Sequence, residues 1–517
     1  MKLPAGVGAR PVSSEERAGQ QGAVHERTSR APLLVALVVV FALAIAVRIR
    51  GLFDGIPYAV GIDEPAILER VLRMLQTGDW NPHFFDYPAL VFYLQAVVGY
   101  LRYLYGLGTH EWSTLAAVDA ASLYPAARLL AVAIALAGIY WTYLAGRELE
   151  SRRLGLVAAA QVAVFPQLVR DSHYVLTDVP ATSFVMLALW LAFRAARTST
   201  VSSYALAGAA AGLAAAAKYN GGFVLVAILV LWAAYDHRSP DFRKPVAAVA
   251  GVGAVFFAAN PYVLLDWAGF RQQFAELVGR YTASRVFIEP VWLTYLKHLS
   301  RPGAGWLPAV AAGLVLGLFT GRRRREWLAV TVFVLGYFCV LATHAPVFAR
   351  YTLPMIPALC LLAALPVVRL AESLAGRLGG RLVPAAVLLA GALWFMIPFG
   401  RQSFVWLKEL ERTDTREIAA TWLRAAAPRG TRVVVENFGP TNLDHAGFVV
   451  LQTGRVIGRP LSWYAAEGYE YVVVSSWNLP QYQGFVDSAT TAFHVPPSAG
   501  RWGPEICILR VPPAASQ

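Results

Sequence analysis

The sequence predicts a mainly α-helical, polytopic membrane protein with a small α/β domain at its C-terminal end. Three observations carry that prediction. Hydrophobic residues make up 57% of the 517-residue chain and charged residues only 15%, with a mean hydropathy of +0.49. That is too little charge to cover a soluble surface of this size. The apolar residues come in long blocks, not in amphipathic stripes, and the arginines fall in the short loops between the blocks.

Residues 1–31 are polar and rich in Gly, Ser, Glu and Arg, which predicts a disordered cytoplasmic tail. Apolar blocks follow at 33–47, 123–145, 154–169, 179–192, 246–259, 309–319, 328–342, 353–368 and 382–399. Several approach the ~20 residues that cross a bilayer as a helix. The first block runs into Arg48, Arg50 and Gly51, with no small-residue cleavage site, so it reads as a membrane helix and not as a signal peptide.

The clearest inside marker is the run Arg322, Arg323, Arg324 and Arg325. Arg10, Arg17, Arg27 and Arg30 lie in the tail. Further basic loops hold Arg147, Arg152 and Arg153; Arg194 and Arg197; Arg238, Arg243 and Lys244; and Arg369, Arg377 and Arg381. All share the cytoplasmic side if the chain makes about 11 crossings. That solution uses short Gly- and Ala-rich helices around 205–217 and 223–235. It treats 89–105, apolar enough to span, as juxtamembrane or re-entrant.

The transmembrane domain then covers 32–400. Its outer loops are 51–122, 170–178, 218–222, 260–303 and 344–351. Residues 401–517 form an extracytoplasmic α/β domain, with an amphipathic helix at 415–426 and strands at 432–436, 471–475 and 505–511. The net charge of +13 is explained by these loops, and no aromatic-basic platform points to nucleic acid. Cys339, Cys360 and Cys507 form no close pair, which argues against a disulfide framework or a zinc site.

The polar chemistry gathers on the outer side. Asp63-Glu64-Pro65 opens a helix, with an acidic residue where an N-cap belongs and proline in the first turn. Ile67, Leu68, Val71, Leu72 and Leu75 share one face of that helix and Glu69, Arg70, Arg73 and Gln76 the other, the pattern of a helix lying in the membrane interface. Asp63 either caps this helix or serves a site. Asp86 precedes Tyr87-Pro88 before the 89–105 stretch. Asp171 and His173 sit at a membrane boundary, and Asp178 begins another helix. His173 fits a structural role as readily as a chemical one. Lys218, Arg350 and Arg128 lie near helix ends; each can snorkel to the interface, and together they can hold a phosphate, arginine as a planar fork and lysine as a point charge.

The stretch 61–106 resembles the first periplasmic loop of family 39 glycosyltransferases, the protein O-mannosyltransferases and aminoarabinose-to-lipid A transferases of the multi-spanning type C fold. The residues that carry the resemblance are Asp63-Glu64-Pro65, Gly78-Asp79-Trp80-Asn81-Pro82 and Asp86-Tyr87-Pro88-Ala89-Leu90. Arg128-Leu129, Thr177-Asp178, Lys218-Tyr219 and Arg350-Tyr351-Thr352-Leu353-Pro354 resemble later landmarks of that family, so the similarity covers residues 33–399. It implies a type C membrane domain of about 11–13 helices in a bacterial or archaeal plasma membrane.

The resemblance also implies an enzyme that moves a sugar from a polyprenyl-phosphate donor to a lipid, glycan or protein acceptor. Asp63 would be the general base of an inverting transfer, a role worth ~10²–10⁴-fold in rate. Lys218 and Arg350, with Arg128, would bind the donor phosphate. Glu64, Asp86, Asp171, His173 and Asp178 would position the acceptor or tune the base. The chain departs from the aminoarabinose branch at Tyr87, where that branch carries a phosphate-binding lysine. The resemblance makes no cofactor certain. A divalent cation on Asp63, Glu64, Asp171 and His173 stays open, because no ligand spacing compels it. The rival class is a transporter or lipid flippase using the same outward polar residues.

Overall fold

A computed structural model describes residues 14–61, 63–282, 289–303, 305–320, 323–343, 347–378, 382–475, 482, 484–485, 489–498 and 500–512. Arg10, Arg322, His344 and Arg381 lie outside the described residues. Helix α1 (Ser14–Ile49) includes the apolar stretch Pro32–Ile49. The described part of the polar tail is thus helical where composition predicted disorder. Its Ala, Gln, Glu and Arg are good helix formers, and it extends a helix already nucleated by the apolar block.

An outer module follows, with α2 (Glu64–Thr77) and α3 (Leu90–Gly108). The bundle then runs through α4 (Tyr124–Leu149), α5 (Arg152–Val164), α6 (Pro166–Asp171), α7 (Asp178–Thr198), α8 (Val201–Ala217), α9 (Leu225–Asp236) and α10 (Arg243–Ala259). A second outer excursion holds α11 (Tyr262–Leu265), α12 (Trp267–Thr282) and α13 (Val291–Ser300). The bundle closes with α14 (Trp306–Phe319), α15 (Arg324–Ala342), α16 (Ile356–Leu378) and α17 (Leu382–Leu410).

Eight helices among the described residues are long and apolar enough to cross a membrane. The shorter helices α8 and α14 are also apolar. On one face the basic side chains are tied to carboxylates of neighbouring helices. Arg197 meets Glu148 at 2.7 Å, Lys244 meets Asp236 at 2.6 Å and Ser199 at 2.8 Å, and Arg369 and the Trp327 indole share Glu150. The other face carries Arg50, His173, Asp178, Lys218 and Arg350.

Small residues let the short helices pack closely. A Cβ on Gly208 of α8 would collide with the Ala248 carbonyl of α10, the close approach typical of membrane interfaces. At Phe165-Pro166 the proline splits α5 from α6. Two carbonyls before the break are taken up by other helices: the buried Arg48 of α1 donates to Ala163 O at 2.7 Å, and Ser403 of α17 to Val164 O at 2.9 Å. Arg48, which follows the first apolar block in sequence, is therefore part of the bundle interior.

The helix expected to lie in the membrane interface, α2, is instead packed against protein. The apolar side of α2 is covered by protein: Ile67, Leu68, Val71 and Met74 pack with Phe92, Tyr124, Ala127 and Ala217. Helix α3 instead leaves Val97, Tyr100, Leu101, Leu104 and Tyr105 exposed on one stripe. Its other side meets only the outer ends of the bundle, with Gln95 on Ala127 O and Gly99 beside Leu75 and Leu123. The helix is nonetheless long and apolar enough to cross a membrane.

The C-terminal domain begins with β1 (Thr413–Asp414) and α18 (Thr415–Ala426), followed by β2 (Arg432–Glu436), β3 (Val449–Thr453), α19 (Leu461–Ala466), β4 (Tyr471–Ser475), β5 (Thr490–Val495), β6 (Arg501–Trp502) and β7 (Ile506–Arg510). The main sheet has the order β3-β2-β4-β7-β5, parallel around β2 and antiparallel around β7, while β1 pairs with β6. Successive residues of its central strands alternate between two cores. Val433, Val435, Val473 and Ile508 face α18, and Val434, Val472, Val474 and Leu509 face the other side. The strands expected at 432–436, 471–475 and 505–511 are present, the last as Ile506–Arg510. The domain docks on the first outer loop through Thr441 N on Tyr58 O at 2.9 Å, Asn442 on Pro57 O at 2.7 Å and His445 on Asp119 at 2.7 Å.

Candidate active site

Asp63 stands at the N-cap position of α2, yet its carboxylate makes no capping hydrogen bond. It pairs instead with Arg350 Nη1 at 2.6 Å, and both side chains are about a quarter exposed. Arg350 enters on the turn Ala349–Met355 that leads into α16, with its guanidinium over the Phe348 ring. Its Nε is buried and has no hydrogen-bond partner among the described residues.

A second pair lies beside the first. Lys218, where α8 ends, meets Asp178, where α7 begins, at 2.5 Å, and its ammonium sits over the Tyr351 ring. The two helix ends supply opposite charges because one carries its acid in the first turn and the other its cation just past the last. Both arrangements complement the helix dipoles.

Lys218 and Tyr351 open onto a cavity of about 280 Å³ also lined by Asp86, Tyr87 and Tyr281 and by the apolar side of α12 at Phe274, Leu277 and Val278. Asp86 is ion-paired with Arg280 of α12. Tyr281 and Tyr351 share a hydrogen bond at 2.8 Å. The Tyr87 phenol is pushed up from its ordinary value by burial first and by the Asp63 charge next, while Arg350 opposes both. Tyr87 thus feels both members of the Asp63 pair as well as the cavity. Polar groups from five separated segments meet an apolar trough, an arrangement suited to a ligand with an anionic head and a hydrocarbon tail.

The structure separates the remaining candidates from this cavity. Glu64 is fully buried and clamps Arg128 through two hydrogen bonds, at 2.9 and 2.7 Å. Glu64 also accepts the amides of Gly61 and Val175, and Arg128 donates to the carbonyls of Leu52 and Asp54. These two side chains are engaged with each other and with the loop backbone, and neither lines the cavity.

His173 lies between two carbonyl oxygens, Val169 at 2.8 Å and Arg50 at 3.0 Å, with Trp406 edge-on. Burial pushes its imidazole down to about 4 although both carbonyls favour the charged ring. A neutral ring donates to only one of them, and His173 ties its loop to the end of α1 and not to the cavity. Asp171 is buried on Gln167 and Arg170. Among the described residues no three His, Cys, Asp or Glu side chains group to hold a metal ion.

Sequence reasoning missed Arg280, Tyr281 and the aromatic wall. The signal for them is weak: an amphipathic helix in the 260–303 loop with a basic last turn.

Residues 120–265 match the family model described as dolichyl-phosphate-mannose-protein mannosyltransferase. The match includes Asp178 and Lys218 but neither Asp63 nor Arg350. No curated protein matches the chain. ArnT from Cupriavidus metallidurans bound to undecaprenyl phosphate is similar with a TM-score of 0.64 at 16% identity, covering 93% of this chain and 99% of that one. Apo ArnT gives 0.60 at 14% identity over 95% and 100%. The archaeal oligosaccharyltransferase AglB from Archaeoglobus fulgidus, in complex with an inhibitory peptide and a dolichol-phosphate, gives 0.57 at 14% identity over 87% and 70%. The chain is thus an integral membrane protein of the type C glycosyltransferase fold, with the mannosyltransferase family pattern in its segment 120–265.

Proposed function

We propose that this protein transfers a sugar from a polyprenyl-phosphate donor to an acceptor hydroxyl or amine at the membrane face that carries the C-terminal domain, with inversion at the anomeric carbon. The observation that carries the reading is the Asp63–Arg350 pair at 2.6 Å, next to a Lys218-walled trough with an apolar floor. The relatives bound to undecaprenyl phosphate and dolichol-phosphate support the donor class. The basic face is the cytoplasmic one on the arginine count, which sets transfer on the outer side.

The acceptor heteroatom gives its proton to Asp63 as it attacks the anomeric carbon. The bond from that carbon to the phosphate oxygen breaks, and its electron pair leaves on the polyprenyl phosphate. Lys218 and Arg350 stabilise the charge that grows there. Without donor, each of these cations is neutralised by a carboxylate. An arriving phosphate competes for Arg350 and frees Asp63, so the base is released where the donor is seated.

The Asp63→Asn variant tests the assignment, with transfer from a radiolabelled polyprenyl-phosphate sugar as the assay. Turnover is expected to fall by ~10²–10⁴-fold while polyprenyl phosphate still binds. Near-normal turnover would remove Asp63 from the role of base.

A further inference from the structure

We propose that Arg416, in the C-terminal domain, is a positioning residue for Asp63; this rests on Asp63 being the base. Arg416 sits in the first turn of α18 and is nearly buried. One edge of its guanidinium is held by Asp414, with Nε on Oδ1 at 2.9 Å and Nη2 on Oδ2 at 2.8 Å. The planar fork leaves further donors aimed away from that carboxylate. They reach the carbonyls of Val60 at 3.1 Å and Ala59 at 3.2 Å, three and four residues before Asp63.

The anchor is rigid. Asp414 also caps α18 by accepting the Arg416 amide at 2.8 Å, and its backbone pairs with Trp502 in the β1–β6 ladder. Thr415 donates to the Pro504 carbonyl at 2.6 Å. The same segment is held from its far side. The Gly61 amide donates to Glu64 at 2.7 Å, and Glu64 is fixed by Arg128. A Cβ on Gly61 would come within 2.8 Å of the Tyr174 ring, so the backbone lies directly against that ring. The approach to Asp63 is thus clamped between the C-terminal domain and the membrane domain. A base that must meet an acceptor within hydrogen-bond reach tolerates little displacement, since ~1 Å can cost about 10²-fold.

Arg416→Gln removes the fork and leaves Lys218 and Arg350 untouched on their own helices. The full-length protein in lipid nanodiscs is measured for kcat and KM with a polyprenyl-phosphate sugar, and for amide hydrogen exchange. A fall in kcat of about 10- to 100-fold is expected, with the donor KM within about twofold. Faster exchange should be confined to 57–66, and Arg416→Lys, which keeps one donor point, should be intermediate. In the Asp63→Asn background the same substitution should cost almost nothing further, because the group it positions is gone. Unchanged kcat overturns the proposal. So does a loss that persists in full in the Asp63→Asn background, or one accompanied by faster exchange across the 432–475 sheet. A fully active Asp63→Asn protein sinks the base assignment instead, and exchange at 57–66 then still reports whether Arg416 braces the loop.

Discussion

Asp63 and Glu64 are neighbours in sequence, and each pairs with an arginine, but the two pairs differ in kind. Glu64 and Arg128 are at most 2% exposed and accept or donate hydrogen bonds on nearly every side. Asp63 and Arg350 are about a quarter exposed, and Arg350 Nε has no hydrogen-bond partner among the described residues. The first pair is closed and the second has capacity left for a ligand. A buried, saturated ion pair fixes backbone; a partly open one beside a cavity is available for exchange.

The largest test of this contrast replaces Asp63 and Glu64 in turn. Asp63→Asn should abolish transfer by the ~10²–10⁴-fold given above with little change in thermal unfolding. Glu64→Gln or Arg128→Met should do the reverse in kind, lowering stability by roughly 3–5 kcal/mol because one charge is left buried alone. Thermal unfolding in detergent reads that loss. An Arg128→Met protein with unchanged stability would show that the clamp is idle.

A smaller effect is expected at Arg350. Arg350→Lys keeps the charge and loses the fork, so polyprenyl phosphate should bind about tenfold more weakly; equal affinity in a binding titration would mean that Arg350 does not touch the phosphate. The smallest effect concerns the tether at Asp119. Burial opposes its carboxylate, but the Ser122 hydroxyl and amide and His445 outweigh burial and hold it below the ordinary value. Its contribution is therefore fully present above about pH 4 and is lost as pH falls through the lowered value. Hydrogen exchange at 442–447 should rise only on acidification past that point, and Asp119→Asn should remove the pH step.

Much of the membrane domain was legible because its signals are local. Apolar blocks report spans, and arginine loops report which ends share a face. The helix at 90–108 is not decided by composition, since a boundary helix and a spanning one can be equally apolar; its exposed stripe from Val97 to Tyr105 suits either. The site was legible as a set of residues and not as a set of pairs. Asp63, Asp178, Lys218 and Arg350 were found by their places at helix ends. That Arg128 belongs to Glu64, 64 residues away, and that Arg280 belongs to Asp86, 194 residues away, depends on packing that no single stretch encodes. The tail from Ser14 and strands β3 and β5 were missed because their patterns are weak without the neighbours that support them.

The two ion pairs of the site have one more consequence. Asp63 with Arg350 and Asp178 with Lys218 add up to no net charge. A dissolved phosphate ion therefore gains little by leaving water for these four groups, since the attraction of each cation is already met. A donor carried by a hydrocarbon chain arrives differently. On the proposed function, its tail partitions into the bilayer at ~0.8 kcal/mol per buried CH₂, which concentrates the head in a thin layer at the membrane face. Selection of such a donor would then depend on dimensionality more than on field: the site would meet an anion confined to a surface and respond weakly to the same anion free in solution.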